Sequence, residues 1–326
     1  RGGSPVNYFP CLLDRGLITF LLIGLMALFV LPIYFYYISS PQPIKRFGVS
    51  YMTMNNPFYE VINNEMRKQI EARGDQLIVR DPLLNESKQQ EQIEQFIDMK
   101  VDGIFINPVD SRSLEPTLAK AKRAGIPVIA IDVPLSDSTS LLSTVVSDNY
   151  GAGVQCARHI MSHFDHAKIG LLKHSSVQSA SERIRGFKET IASDDRFQIV
   201  NEAECLGQLE IAMPKTEEMI AKTLDISIIM ALNDPSALGA KAALKNIGRE
   251  DIYIYGVDGT PEMKALLAKD PMVLGTVAQS PYSIGKKAAQ AMYDHLKGAP
   301  VSKNIVIPVE MIDHDSIDFY SKGGWQ

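Results

Sequence analysis

The sequence predicts an α/β protein in which one apolar, membrane-spanning helix precedes two doubly wound lobes with parallel sheets. Residues Leu17–Ile38 form an uncharged run, and the chain from Phe47 onward alternates short apolar runs with amphipathic stretches. The length of 326 residues suffices for one membrane segment and two ordinary α/β lobes. With 45% hydrophobic and 22% charged residues, the composition is near globular averages and predicts a packed core.

The charge distribution argues against a nucleic-acid partner. The formal net charge is −5, and the basic residues are spread along the chain without a cluster, whereas phosphate backbones call for clustered cations. The three cysteines, Cys11, Cys156 and Cys205, lie far apart and form no CxxC pair. The sequence therefore indicates neither a zinc site nor a disulfide framework, and we expect Cys156 and Cys205 to be small buried apolar residues.

The run Leu17–Ile38 has the length of about 20 apolar residues that a helix needs to cross a bilayer. A cleavable signal peptide has a shorter apolar stretch, of about 7–15 residues, followed by small residues. Here the run ends in bulky aromatic residues at 34–37, as an interfacial belt does, and only Ile38-Ser39-Ser40 offers a weak alternative cleavage site. We therefore predict an uncleaved anchor that holds the rest of the chain outside the cytoplasm. The predicted parts are a short cytoplasmic end (1–16), the transmembrane anchor (17–38) and a Pro/Ser linker (39–46).

Strand-like and helix-like patterns alternate from Phe47 onward. The apolar runs that predict strands are FGVSYM, QLIVR, GIFIN, PVIAID, KIGLL, ISIIMALN, IYIYGVD and VLGTVAQ. The amphipathic stretches that predict helices are 58–73, 87–99, 114–124, 152–164, 182–193 and 235–246. Nearly continuous apolar strands between helices indicate parallel sheets covered on both faces. The βα units are too many for one ordinary open sheet, so we predict two successive lobes, with a first crossing near residues 143–149.

Polar residues stand where five of the predicted strands end. In open parallel sheets, ligands bind just beyond the carboxyl ends of the strands, so these side chains are candidates for a binding site. The alternative is that they only cap helices or form turns. The five residues are Asn107, Asp132, Asn233, Asp258 and Gln279.

The chemistry of these side chains fits a small polyhydroxylated ligand. Carboxylate, amide and guanidinium groups offer the paired acceptors and donors that vicinal hydroxyls require. Phe58 and Tyr59 follow the first predicted strand and could supply apolar faces against a sugar ring, although adjacent aromatic residues at a helix start are also common in protein cores.

Catalytic and metal-binding signatures are missing from the sequence. It contains no GxSxG elbow, no HExxH, no P-loop and no GxGxxG after the first strand. His159 and His163 are four residues apart on a predicted helix, which could bind a metal, but we interpret them as part of a surface face. The sequence thus predicts neither an enzyme nor a metal or cofactor.

Several short motifs give the chain a resemblance to a known family. In order they are MNNPFYEVINNEM, INPVDS, VIAID, VSDN, SASERIRGF, ALNDPSALGA, YGVDGTPEM and TVAQSPYSIGKKA. Together, from Phe47 to about Val309, they resemble the type I periplasmic sugar-binding proteins, and the ribose binders in particular. The resemblance implies two Rossmann-like lobes joined by three hinge strands near Ser147, Gln279 and Val309. The implied lobes comprise residues 47–147 plus 280–309 and residues 148–279 plus 310–326.

The resemblance also implies a ligand site, with a share from each lobe. The implied ligand residues are Asn56, Phe58, Tyr59, Asn107, Asp132, Arg183, Asn233, Asp258 and Gln279. The chain departs from the ribose binders at three places. Met52 stands where they have a polar residue, Val133 stands where they have an arginine, and an expected aromatic residue falls near Gly207 or Leu206. These departures keep the monosaccharide class but leave open another pentose, or a deoxy or furanose-like sugar.

Two functions in the same class of receptor remain open. The resemblance implies a solute receptor that hands a sugar to the permease of an ABC importer. The predicted anchor favours an alternative, a sensory subunit held beside a membrane histidine kinase and acting on it when the lobes close. The related sugar-responsive repressors carry a basic helix-turn-helix at the front, whereas this chain has the apolar run. The expected partners are thus a monosaccharide, the membrane, and a permease or kinase.

Overall fold

A computed structural model describes residue 2, residues 15–39 and residues 43–326 of the chain. Cys11, nearly all of the predicted cytoplasmic end, and residues 40–42 of the predicted linker lie outside the described residues. The chain divides into two compact units, residues 1–44 and residues 45–326.

The first unit contains helix α1 (Arg15–Ser39). Within the described part of the chain, no helix is both long enough and apolar enough to cross a membrane. The anchor over residues 17–38 remains a prediction.

The second unit consists of strands that alternate with helices. Its first half contains β1 (Arg46–Ser50), α2 (Pro57–Glu71), β2 (Gln76–Arg80), α3 (Glu86–Asp98), β3 (Gly103–Ile106), α4 (Glu115–Arg123), β4 (Val128–Ile131) and β5 (Ser143–Ser147). It continues with α5 (Asn149–His163), β6 (Ala167–Lys173), α6 (Gln178–Ile191), β7 (Phe197–Glu204), α7 (Leu209–Lys222), β8 (Ile228–Ala231), α8 (Asp234–Asn246) and β9 (Tyr253–Asp258). The last elements are α9 (Pro261–Leu267), β10 (Val273–Ala278), α10 (Pro281–Leu296), β11 (Asn304–Ile307), β12 (Glu310–Asp313) and a 3-10 helix (Ile317–Phe319).

These strands form two six-stranded sheets. The first has the order β11-β5-β4-β3-β1-β2, and the second has the order β12-β10-β9-β8-β6-β7. All pairs are parallel except β10 with β12, which is antiparallel. The prediction of two α/β lobes with parallel-dominated sheets is therefore confirmed.

The chain changes sheet three times. It leaves the first sheet after β5, returns to it after β10, and crosses again between β11 and β12. Helix α10 packs against α2, so the stretch after β10 lies with the first sheet. The lobe and hinge boundaries themselves remain predictions, and this order of strands supports them.

The central strands are buried on both faces because helices cover both sides of each sheet. Every residue of β3, β4 and β8 is buried, and these strands read GIFI, VIAI and IIMA. Cys156 and Cys205 are free and fully buried, which confirms their predicted role as small core residues.

Helices α5 and α6 approach closely at two glycines. A Cβ added at Gly153 would lie 1.9 Å from the carbonyl oxygen of Arg183, and one added at Gly186 would lie 2.2 Å from that of Tyr150. Only glycine permits this backbone approach. It fixes the position of Arg183 on α6 relative to the start of α5.

Candidate functional site

Two aspartates stand at equivalent carboxyl ends of the two sheets. Asp132 directly follows β4, and Asp258 is the last residue of β9. Both have positive backbone φ angles, 65° and 135°, which are uncommon for residues other than glycine. Such strained conformations persist where the surrounding structure imposes them, and they concentrate at functional sites.

Asp132 follows a strand of the first sheet, but charged groups from the second-sheet side act on its carboxyl. Burial raises the pKa of its carboxyl to about 6, the Arg183 guanidinium opposes that rise, and the charge of Asp258 adds to it. The nearby Tyr59 hydroxyl also lowers the pKa of Asp132. Groups from both sheets therefore act on one another across the cleft.

Arg183 is the cation of this cluster, and protein contacts fix its orientation. Its side chain is 7% exposed. Nε donates to Asn149 Oδ1 at 2.7 Å, while Nη1 donates to the Leu232 carbonyl at 3.1 Å and to Asp258 Oδ1 at 3.4 Å. Nη2 has no partner among the described residues and is the guanidinium donor that a ligand could use. Sequence reasoning missed Asn149, although it belongs to the VSDN motif.

Asp258 is held by the residue that follows the neighbouring strand. Gln279 donates from Nε2 to Asp258 Oδ1 at 2.6 Å, and its own Oε1 is buried without a partner in the described structure. Burial raises the pKa of Asp258, which Arg183 opposes. At the start of α8, burial and the charge of Asp258 raise the pKa of Asp234 to about 7.

Three predicted site residues use their side chains to hold the backbone. Asn56 caps α2 by accepting from the Phe58 amide at 2.9 Å, and Asn233 caps α8 by accepting from the Ser236 amide at 3.1 Å. Asn107 is fully buried, accepts from the Met52 amide at 3.1 Å and donates to the Ile131 carbonyl at 3.2 Å. These contacts are explained by helix capping and loop positioning, which the sequence also allowed as the alternative to ligand binding. Their ligand roles remain predictions.

Aromatic side chains line the first-sheet side of the cluster. Phe58 and Tyr59 are 5% and 7% exposed, and their rings pack edge to face at 5.9 Å. The Tyr59 hydroxyl donates to Met52 Sδ at 3.4 Å, and burial, with the nearby Asp132 charge, raises the pKa of that hydroxyl well above its usual value. On its other side, Phe58 packs against Trp325, with ring centroids 5.4 Å apart. Sequence reasoning missed Trp325, whose only sequence signal is that it is the one tryptophan of the chain.

The three departures from the ribose binders lie in or near this cluster. Met52 Sδ accepts a hydrogen bond from the Tyr59 hydroxyl. Val133, which directly follows Asp132, is 3% exposed. Gly207 adopts a φ of +70°, and its carbonyl oxygen accepts from Asn233 Nδ2 at 3.0 Å. The cleft therefore has a thioether and an aliphatic side chain at two positions where a polar side chain was expected.

The histidine pair has a structural role. His159 is only 12% exposed, with ring nitrogens 2.9 Å from the Tyr255 hydroxyl and 3.2 Å from the Asp313 carboxylate, and it stacks on His163 at 3.9 Å. The interpretation as an open surface face is thus wrong for His159, which links α5 to β9 and β12. Among the described residues, no group of three His, Cys, Asp or Glu side chains could hold a metal ion.

The geometry defines a class of protein. Carboxylates, one oriented guanidinium and aromatic rings converge from two separate sheets, an arrangement suited to enclosing a small polar molecule by hydrogen bonds and apolar contacts. The site provides binding groups on both sides of a cleft, which is how a receptor that closes two lobes on its ligand is built.

Comparison with known proteins identifies the family. Residues 47–300 match the periplasmic binding protein domain family, and the chain belongs to it. Its sequence is 32% identical over 266 residues to the ribose import binding protein of Bacillus subtilis (strain 168), covering 81% of this chain and 86% of that protein. The chain is a binding protein and not an enzyme, and the resemblance predicted from its motifs is confirmed.

Two solved structures share the fold at slightly lower identity. The binding component of the arabinose ABC transporter from Shewanella sp. ANA-3, bound to L-arabinofuranose, is 26% identical with a TM-score of 0.80, covering 84% of this chain and 94% of that one. An ABC transporter solute binding protein from Agrobacterium vitis with bound D-fucose is 26% identical with a TM-score of 0.77, covering 84% and 97%.

Proposed function

We propose that this protein is a membrane-tethered, extracytoplasmic receptor that binds one monosaccharide between its lobes and delivers it to an ABC sugar importer. The observation that carries the proposal is the cluster of Asp132, Arg183 and Asp258, which two different sheets contribute to one cleft. The proposed lobes are residues 47–147 plus 280–309 and residues 148–279 plus 310–326, hinged near Ser147, Gln279 and Val309.

The charges of the cluster favour a neutral ligand with several hydroxyls. Two carboxylates face a single guanidinium, which already donates to protein acceptors through Nε and Nη1. An anionic ligand would meet a net negative site, whereas sugar hydroxyls can donate to Asp132 and Asp258 and accept from Arg183 Nη2. Phe58 and Tyr59 would cover the C–H face of the ring.

Two lines of support favour a sugar other than ribose. Met52 and Val133 reduce the number of hydrogen-bonding groups on the first-sheet side, so a ligand with fewer hydroxyls in that direction fits better. Relatives at 26% identity are described with L-arabinofuranose and with D-fucose, a furanose and a deoxy sugar. We infer a furanose-like or deoxy monosaccharide for this chain.

The tether rests on the sequence. The run Leu17–Ile38 contains no charged residue, and it has the length of about 20 residues that crosses a bilayer. A tether suits a receptor whose partner is itself fixed in the membrane. The same feature favours the second candidate function, a sugar-sensing subunit that shifts the activity of a membrane histidine kinase. Co-purification from native membranes separates the two, because an importer role predicts a permease and a sensor role predicts a kinase.

A thermal-shift panel tests the sugar claim. The full chain, purified in mild detergent, would be screened against L-arabinose, D-fucose, D-ribose, D-galactose and D-xylose. At a ligand concentration of about 100 times the Kd, a bound sugar stabilises the folded state by about 2.7 kcal/mol. At least one sugar should raise the melting temperature, and a flat panel on folded protein would refute the claim.

A matched pair of variants locates the binding. Asp132→Asn should abolish the shift because the buried carboxylate accepts from ligand hydroxyls. Asp251→Asn should leave the shift unchanged, because Asp251 lies before β9 at the opposite end of the sheet, is 67% exposed and pairs only with Arg249 among the described residues.

A further inference from the structure

Residues Ser321–Gln326, which we call the strap, follow the last strand and the 3-10 helix and contact both halves of the second unit. Lys264 of α9 donates from Nζ to the carbonyl oxygens of Ser321 and Gly324, both at 2.5 Å. At the other end, Trp325 packs edge to face on Phe58 of α2 at 5.4 Å. The strap is thus attached to a helix of the second sheet and to an aromatic residue beside the first.

The attachment through Lys264 holds the strap firmly. The residue is fully buried, and burial lowers the pKa of its ammonium group. The two strap carbonyls are its hydrogen-bond acceptors in the described structure. A buried ammonium that loses its acceptors is strongly disfavoured, so release of the strap would leave an uncompensated charge in the interior.

The end of the strap borders the sugar site. Gln326 Oε1 lies 2.7 Å from where a Cβ on Gly259 would stand, and Gly259 directly follows Asp258. The Gln326 carbonyl accepts from Ser280 Oγ at 2.6 Å, and Ser280 directly follows Gln279. Both amide atoms of the Gln326 side chain are buried without a partner in the described structure. Within the described residues, the Gln326 side chain therefore has a free hydrogen-bond donor, Nε2, and a free acceptor, Oε1, next to the site residues Asp258 and Gln279.

A sugar ring has polar edges and apolar C–H faces, and each needs a matching surface. The second sheet contributes polar groups to the site, among them Arg183, Asp258 and Gln279. The aromatic surface comes from Phe58 and Tyr59, and Trp325 extends it from the Phe58 side. We propose that Trp325 contacts the bound monosaccharide and helps to determine which sugar is accepted. This inference rests on the proposed function.

The double attachment links sugar binding to the closed arrangement of the lobes. Because release from Lys264 is disfavoured, separation of the lobes would leave the strap on Lys264 and break the contact between Trp325 and Phe58. A sugar that fits against Trp325 therefore stabilises the arrangement in which both contacts are made.

The tryptophan itself supplies the test. Trp325 is the only tryptophan of the chain, so the indole emission of the wild-type protein reports on this residue alone. The full chain would be titrated with L-arabinose, D-fucose and D-ribose while indole emission is followed, and affinities would be measured in parallel by calorimetry. Saturation with the bound sugar should change the emission. Trp325→Ala should weaken binding by about tenfold or more, and Trp325→Phe should weaken it less.

Phe319→Ala is the matched control, because this aromatic residue lies just before the strap and is 87% exposed. Its affinity should equal that of the wild type. Equal affinities of Trp325→Ala and the wild type, or an emission unchanged at saturation, would overturn the role of Trp325. A folded wild-type protein that binds none of the sugars would instead refute the proposed function.

Lys264→Met provides a second variant that leaves the indole in place. Removing the ammonium frees the strap, so the emission of the sugar-free protein should move toward that of a solvent-exposed indole. Sugar affinity should fall about as far as in Trp325→Ala. Unchanged emission and unchanged affinity would contradict the anchoring of the strap by Lys264.

Discussion

Arg183→Met removes the guanidinium that neutralises the buried carboxylates of the cleft. The side chain of Asp258 is 14% exposed and that of Arg183 is 7% exposed, so the pair is largely shielded from water. Removing one partner of a buried ion pair costs about 3–5 kcal/mol, because the remaining charge is left uncompensated. The lost hydrogen bond to Asn149 is part of the same change and is not added separately. We therefore expect the free energy of unfolding to fall by about 3–5 kcal/mol at about pH 8.

The loss of stability caused by Arg183→Met should become smaller as the pH falls. Without the Arg183 charge, the pKa values of Asp132 and Asp258 rise further above their usual range, since Arg183 lowers both in the wild type. The folded variant then binds more protons than the folded wild type, and linkage makes it gain stability relative to the wild type on acidification. Urea unfolding followed by circular dichroism at about pH 8 and about pH 5 measures this difference.

Arg185→Met is the control on the same helix. Arg185 is 51% exposed and pairs with Glu182 and Glu189 at the surface, so its removal should cost below about 1 kcal/mol at either pH. A loss of stability in Arg183→Met no larger than in this control, or equal at both pH values, would contradict the role of Arg183 as counter-charge to the two carboxylates.

Three further predictions concern pH and packing. Burial raises the pKa of Asp234 to about 7, so the folded state binds the proton of this carboxyl more tightly than the unfolded state does. The free energy of unfolding should therefore fall as the pH rises from about 4 through about 7. Asp234→Asn should flatten this pH dependence, measured by urea unfolding at several pH values. Gly153→Ala places a Cβ 1.9 Å from the Arg183 carbonyl oxygen and should lower the free energy of unfolding by at least about 1–3 kcal/mol. The control is Gly323→Ala, whose added Cβ would have no neighbouring atom within 4 Å in the described structure. It should change the free energy of unfolding by less than about 0.5 kcal/mol in the same assay. Burial raises the pKa of Asp132 to about 6, and the ionised carboxylate is the form that accepts hydrogen bonds from sugar hydroxyls. Calorimetry should therefore show a sugar affinity that is constant above about pH 7 and falls below about pH 6. An affinity independent of pH in this range would argue against contact between the sugar and Asp132.

Strands in the middle of each sheet could be predicted from the sequence because both of their faces are buried. GIFIN covers all of β3, and IYIYGVD covers all of β9. Strand β7 was missed because FQIVNEAE contains no long apolar run. It lies at the edge of its sheet and is only partly buried, so polar residues are tolerated along it. Helix α7 was missed as well, and Pro214 within it interrupts the usual helical pattern.

The candidate site was predictable in part for a similar reason. Residues at strand ends, such as Asp132 and Asp258, follow apolar runs that mark their position in the sheet. The orientation of each side chain depends on contacts distant in sequence, which is why Asn107 and Asn233 were grouped with them although their amides hold backbone groups. Trp325 approaches Phe58 only through the path of the folded chain, and no local pattern indicates that contact.

Calorimetric titration of the full chain with the sugar that stabilises it most tests the central claim most directly. The wild type should bind one sugar per chain, and Asp132→Ala should abolish the heat of binding while the protein stays folded. Asp251→Ala, altered at the opposite end of the second sheet, should bind as the wild type does. Equal affinities of the wild type and Asp132→Ala would contradict binding of the sugar in the cleft between the two sheets.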